Sequence, residues 1–388
     1  MISKDSIRRR RKQDFFKYLP SEILTDILLR LPLENIATCR CVCKPWLNLI
    51  ETDYFNKSHL SKSSPSLVVS IPDTNSNWFN VFKLEEKPKR KLNPITKFDF
   101  PQASTIQGSS NGLLLLKNPF RDHLYVCNPI TREFVELSGR LTRPREDCYG
   151  IGVSRISGQH KVVYLNPTYD GCHVYTLESG SSWRRVEGVI PSFDCCHSSV
   201  AAFVNGNLHW FVSKLRVPPY VCCFDLETEC FSTFSPPTEC LKRNNIDKGM
   251  LCTLGDCLCF CDDEPEFKSD YYHVMWLLKE YKSVEKSWCK VYVKIRQGPQ
   301  LDVLIKHPHY GHGLFKRLLP INVYENGDML MLWNEEHFLY YSKKWRSLKN
   351  IGLFGKMDDD SFNINSILLT PSFLSLKRQF GMKNVISF

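Results

Sequence analysis

The sequence predicts an α+β multidomain chain: three short N-terminal helices, then an all-β domain of propeller type with about six or seven degenerate blades. Three observations carry this reading. Apolar residues recur at helical spacing only near the N-terminus. From Leu67 onward, short alternating or apolar runs bounded by Gly, Asn, Asp or Pro replace them. A strand–turn–aromatic unit then returns five times. Its closing aromatics Phe134, Trp183, Phe231, Trp288 and Trp345 stand 49, 48, 57 and 57 residues apart, near the roughly 40–50 residues of one blade. The divisions expected are 1–14 basic tail, 15–60 helical domain, 61–66 linker and 67–388 β-domain.

The tail contains Arg8–Lys12, a run of five basic residues. Such a run reads as a solvated tail, a nuclear-import signal or a nucleic-acid contact. Leu19-Pro20 opens the first helix, where a proline loses no needed N–H donor. Ile23, Leu24, Ile27, Leu28 and Leu31 line one helical face, and Pro32 ends it. Leu33, Ile36 and Cys39–Val42 make a second helix. Cys43–Ile50 makes a third, with Pro45 in its first turn. Three helices in under about 45 residues cannot bury this apolar surface among themselves, so part of it is assigned to a partner. Ser58–Ser66, rich in Ser and Lys, reads as the linker.

In the β-domain the strand candidates are Leu67–Ile71, Leu113–Leu116, Leu124–Cys127, Lys161–Leu165, Val174–Leu177, Leu208–Val212, Val221–Phe224, Leu258–Cys261, Val274–Leu278, Val291–Ile295, Met329–Trp333 and Phe338–Tyr341. A second unit, turn then strand, shares the beat: Asn111-Gly112, Asn205-Gly206, Gly255-Asp256 and Asn326-Gly327 each precede an apolar run. No single hairpin of this size is stable alone, and a closed ring protects the strand edges. A pair of β-sandwiches with coincidental spacing is the alternative.

Composition narrows the function. No apolar run approaches the ~18–20 residues of a membrane span, and no apolar stretch follows the basic start as in a secretion signal. Cytoplasm and/or nucleus is the expected location, with no membrane partner. The 17 cysteines read as free thiols of a reducing compartment, since an odd number cannot all pair within one chain. Cys257-Leu258-Cys259-Phe260-Cys261 alternates thiols with apolar residues, as small hydrophobes do. Cys195-Cys196-His197 and Cys222-Cys223 come nearest to a zinc pattern but lack paired C-x-x-C spacing. His307, His309 and His312 are the best histidine cluster, without a carboxylate or cysteine near in sequence. Beyond the tail, mixed charges without interleaved aromatics argue against nucleic acid.

Catalytic motifs fail on context. Gly108-Ser109-Ser110-Asn111-Gly112 fits G-x-S-x-G, but a strand rather than a helix follows the serine, which reads as a turn former. Gly150-Ile151-Gly152 lacks the third glycine and the helix of a dinucleotide site. Asn334-Glu335-Glu336-His337 lacks a second histidine. Asp262-Asp263-Glu264 with Glu266 lacks EF-hand spacing and glycine and reads as a solvated loop or a surface for a basic partner. No catalytic residue, cofactor or metal site is expected.

The ordered residues Leu19-Pro20, Ile23, Ile27-Leu28, Arg30-Leu31-Pro32, Arg40, Val42-Cys43-Lys44, Trp46, Leu49-Ile50 and Phe55 resemble the F-box motif without a gap. Gly108–Leu113, Asn128-Pro129-Ile130-Thr131-Arg132, Tyr149–Gly152, Lys161–Val163, Asn205–Trp210, Phe224-Asp225, Trp276–Tyr281 and Ser287-Trp288 resemble the kelch-like F-box-associated domain of plant F-box proteins. Val153-Ser154 departs from that family's usual aromatic and Asp, and no kelch-type Gly-Gly doublet occurs.

The resemblance implies a non-catalytic substrate receptor of a cullin–RING ubiquitin ligase. The F-box would dock a Skp-family adaptor and the β-domain a target protein. The adaptor-side residues expected are Leu19, Pro20, Ile23, Ile27, Leu28, Leu31, Pro32, Leu33, Val42, Lys44, Trp46 and Leu49. Target contacts are expected on inter-strand loops Thr142–Cys148, Ser213–Pro219, Glu264–Ser269 and Lys306–Gly313. The rivals are a propeller enzyme or ligand-binding module unconnected with ubiquitin, and a nucleic-acid binder using Arg8–Lys12.

Overall fold

Two prolines set the start of the first two helices in the computed structural model: α1 (Ser21–Leu29) follows Pro20 and α2 (Leu33–Cys39) follows Pro32. The structure describes residues 19–388 apart from 71–76, 86–90, 93, 119, 122, 138, 140–146, 167–170, 188–190, 192–199, 215–216, 242–248, 262–265, 269, 280, 282–286, 296–317 and 354–363. The basic tail therefore lies outside the described residues. The chain divides into two units, Met1–Lys62 and Ser63–Phe388.

In the first unit, α3 (Lys44–Ile50) carries Pro45 in its first turn, where the helix needs no N–H. A fourth helix, α4 (Asp53–Lys62), replaces the start of the expected linker. Its sequence is polar overall and hides a narrow stripe: Phe55 and His59, one turn apart, are buried with Asn56. The Asn56 amide donates to the carbonyls of Ile50 and Thr52 at 3.3 and 3.1 Å, tying α4 to the end of α3. Arg40 at the end of α2 pairs with Glu51 at the end of α3 at 3.0 Å, both largely buried. Leu24, Leu28, Ile36, Ile50 and Phe55 make up the small core.

The second unit is a six-bladed propeller: its described strands form six antiparallel sheets of four strands with additions. From innermost to outermost, blade 1 is Asn365–Leu369, Ser66–Ser70, Trp78–Lys83, Pro94–Asp99. Blade 2 is Thr105–Ser110, Leu113–Lys117, Leu124–Asn128, Glu133–Leu137. Blade 3 is Cys148–Val153, His160–Asn166, Gly171–Thr176, Arg184–Arg185. Blade 4 is Ala202–Val204, Asn207–Lys214, Val217–Asp225, Phe231–Phe234. Blade 5 is Met250–Leu254, Cys257–Cys261, Asp270–Leu278, Trp288–Ile295, and blade 6 is Leu318–Val323, Met329–Trp333, His337–Ser342, Ser347–Leu353. The five recurring aromatics lie within two residues of the start of the outermost strands of blades 2 to 6. This ring replaces the sandwich alternative.

Each blade junction has its own apolar cluster. Alternate residues of one strand serve opposite neighbours: Leu113 and Leu115 face blade 3, Leu114 and Leu116 face blade 1. That is why these strands read as apolar runs. Gly150 and Gly152 allow the same closeness, since a Cβ there would meet Leu208 at 2.7 Å or Phe203 at 2.5 Å. The G-x-S-x-G segment is strand rather than turn: Gly108 to Ser110 end the inner strand of blade 2, and Asn111-Gly112 turn into the next. Both turn residues have positive φ, as do Asn205 and Gly206.

The ring closes where Asn365–Leu369 pairs with Ser66–Ser70, Leu67 opposite Leu368. The chain then crosses to blade 2. Asn128, fully buried, accepts from the Ile130 N–H and donates to the Ser372 and Leu374 carbonyls at 3.1 and 2.8 Å. Glu133 accepts from Ser375 Oγ and the Leu376 N–H. Ile386–Ser387 adds an edge strand to blade 2, and Phe388 packs on Phe98, Phe100 and Phe134.

Candidate functional site

Of the twelve adaptor-side candidates, the structure buries Leu28 in the helical core. Leu19, Leu31, Leu33, Trp46 and Leu49 are half-buried. Pro20, Ile23, Ile27, Pro32, Val42 and Lys44 are exposed. Ile23, Ile27 and Val42 are 50%, 40% and 60% accessible. The candidates thus separate into one that holds the bundle and several that leave apolar surface in water. Arg40, which carries the motif without being placed at the interface, bridges α2 to α3. Sequence reasoning had no signal for that pairing, because Glu51 lies eleven residues away.

In the propeller, successive strands of a blade alternate in direction. Second and outermost strands therefore end, and innermost and third strands begin, at one rim. In sequence the four target-loop candidates fall between strands that end and begin at that rim: between blades 2 and 3, within blade 4, within blade 5, where Glu266–Lys268 is itself a strand pairing with Asp270–Tyr272, and between blades 5 and 6. Residues 142–146, 264–265, 269 and 306–313 lie outside the described residues, as do Cys195-Cys196-His197, the histidine cluster and Asp262–Glu264. Ser213 and Val217–Pro219 prove to be strand residues extending a hairpin of blade 4.

The opposite rim carries the tight turns and the mouth of the central channel. All six innermost strands line a cavity of about 270 Å³, largely apolar, with Ile106, Ile151, Ala202, Leu251, Ile321 and Ile367 on its wall. A mouth of about 580 Å³ is bounded by Asn111, Asn205, Asp256, Tyr281 and Thr370. His209, fully buried, lies beside it. Its Nδ1–H donates to the Ala202 carbonyl at 3.0 Å, which leaves Nε2 to accept from the Tyr281 hydroxyl at 2.7 Å. Burial pushes the Tyr281 phenol up, so it stays protonated. This arrangement offers shape and hydrogen bonds rather than a primed nucleophile.

None of the 15 described cysteines is in a disulfide. Burial pushes the Cys172 thiol up to about 12, as it also raises Cys127. Among the described residues no helix is long and apolar enough to cross a membrane.

Two family models match the chain: F-box domain at residues 16–58 and F-box associated beta propeller domain at residues 65–361. Among relatives, F-box protein At3g07870 of Arabidopsis thaliana is 27% identical, with 87% of this chain and 88% of that protein covered. F-box protein CPR1 of the same plant is 28% identical, covering 71% and 72%. Among solved structures, TolB from Acinetobacter baumannii aligns with a TM-score of 0.45 at 8% identity, covering 79% of this chain and 66% of that one.

Proposed function

This chain belongs to the plant F-box proteins that carry an F-box associated β-propeller domain, and from that premise we propose that it is the substrate receptor of an SCF-type ubiquitin ligase. The F-box implies binding of a Skp-family adaptor. The observation that carries the reading is the exposure of Ile23, Ile27 and Val42 on a helical unit that otherwise closes on its own core. Ile23 and Ile27, one turn apart on α1, leave adjacent apolar surface in water, as interface residues do. Pro20, Leu31, Pro32, Leu33, Lys44, Trp46 and Leu49 extend the same proposed contact, with Leu19 at its edge.

The propeller chooses the target. The four target-loop candidates fall in sequence between strands whose ends share one rim, and loops on a rigid scaffold are where binding residues concentrate. The chain itself does no chemistry in this reading. It raises the effective concentration of a target lysine near ubiquitin carried by other subunits. Its compartment is the cytoplasm or nucleus, a proposal supported by the free thiols.

The test is capture of a purified Skp-family adaptor by the full chain. Ile23→Asp with Ile27→Asp should abolish capture, as should Leu19→Ala with Pro20→Ala, while the propeller's thermal transition stays in place. Undiminished capture by both variants would reject the assignment.

A further inference from the structure

Blade 5 brings three cysteines together on one face. Cys252 of the innermost strand Met250–Leu254 stands directly opposite Cys259 of the second strand. Cys261 follows two residues later, so its side chain leaves the sheet on the same side. The three Sγ atoms all lie within 4.8 Å of one another, and Cys259 and Cys261 are 3.9 Å apart at sulfur. Four-coordinate zinc, with Zn–S bonds of about 2.3 Å, spaces its sulfurs about 3.8 Å apart. Three corners of such a tetrahedron are therefore present with small side-chain adjustment.

The surroundings suit a soft ion. Cys259 and Cys261 are buried among apolar residues at the junction of blades 5 and 6, while Cys252 is half-buried and lines the central channel. The channel supplies the route in and leaves the fourth position open. Met275, opposite Cys261, faces the same junction. His273 lies two residues before it on that face, buried, with no hydrogen-bond partner at Nε2 among the described residues. Thiolates and imidazoles favour zinc-like and cuprous ions over magnesium or calcium.

We propose that Cys252, Cys259 and Cys261 form a thiolate site for one d10 metal ion of the zinc class, pinning the two inner strands of blade 5 beside the channel. Each binding thiol gives its proton to bulk water and its sulfur lone pair to the metal. No redox step is involved.

The experiment uses the full chain with Cys39, Cys41 and Cys43 replaced by serine, reduced, stripped with a chelator and titrated with Cd²⁺ alone. One equivalent should bind with a thiolate-to-cadmium band in the near ultraviolet, and Zn²⁺ should displace it. Cys252→Ala should weaken binding by about a hundredfold or more, since loss of even an outer-sphere partner costs roughly 10- to 100-fold. Cys127→Ala and Cys222→Ala, in other blades, should leave it unchanged. Circular dichroism melts in chelator establish that each variant folds. Should Cys259→Ala unfold, Cys252→Ala at its half-buried position still decides. The proposal is overturned by absence of the band, by a band that survives Cys252→Ala, or by a chain that joins Cys252 to Cys259 as a disulfide in air and takes up no Cd²⁺ once reduced.

Discussion

Leu67, Val68 and Val69 in the first propeller strand have no accessible surface, whereas Ile23, Ile27 and Val42 in the helical unit keep 40% or more of theirs. The side chains are of one chemical kind. What differs is the number of neighbours each unit can supply. A blade in a closed ring has another blade on both faces, so an unbroken apolar run such as Leu113–Leu116 is fully covered. Four short helices present only a small interior. Arg40–Glu51 and Asn56 spend their polar contacts holding the helix ends together. The ring covers the apolar runs of its blades, though Phe120, Ile156 and Trp345 at its margins stay exposed, and the helical unit carries apolar surface on its first helix that its own core does not cover.

The largest test of that contrast is to open the ring's latch. Ending the chain after Thr370 removes the buried Phe373, Leu374, Leu376 and Met382 and the partners of Asn128. Four such side chains are worth roughly 6–12 kcal/mol at about 1.5–3 each, comparable to the whole stability of a domain. The truncated chain should lose its cooperative thermal transition. A melt like that of the full chain would make the tail an ornament.

Next come two adjacent residues that the comparison separates. Leu28→Ala should cost about 2–4 kcal/mol of helical-unit stability. Ile27→Ala should change stability by no more than about 0.5 kcal/mol while weakening adaptor capture. Urea unfolding with hydrogen exchange read over residues 21–62 distinguishes them, and equal costs would erase the distinction between core and interface. A local probe follows: at Gly112, φ is +86° and a Cβ would meet Ser372 Oγ at 2.0 Å. Gly112→Ala should cost about 1–3 kcal/mol of propeller stability, visible as a lowered melting temperature.

The smallest effect is with pH. Burial pushes His160 and His273 down to about 4, so the folded propeller holds both neutral. The unfolded chain takes up protons near pH 6.5, hence stability falls as pH drops from about 6.5 towards 4. Acidification from pH 7 to 5.5 should cost about 1 kcal/mol for each histidine. Chemical unfolding at both pH values measures it, and His160→Gln should remove its share.

The legible strands and the illegible ones differ in where they stand. Second and third strands, such as Leu124–Asn128 and Cys257–Cys261, are sandwiched on both faces and announce themselves as apolar runs. The innermost strands Thr105–Ser110 and Cys148–Val153 border the channel, where glycines, serines and a glycine-spaced pair replace that pattern. Read alone, they resemble turns or ligand motifs. Helix α4 escaped for a related reason: only Phe55, Asn56 and His59 mark its inner face.

By itself the sequence determined the F-box order, the all-β class and the blade beat, because helix-stopping prolines, positive-φ turns and apolar periodicity act over a few residues. Only the tertiary structure decided that there are six blades, that Asn365–Leu369 closes the first of them, that Leu28 turns inward while Ile27 does not, and that Cys252, Cys259 and Cys261 converge. Each of these depends on which distant surface arrives against a given residue, a quantity no local pattern encodes.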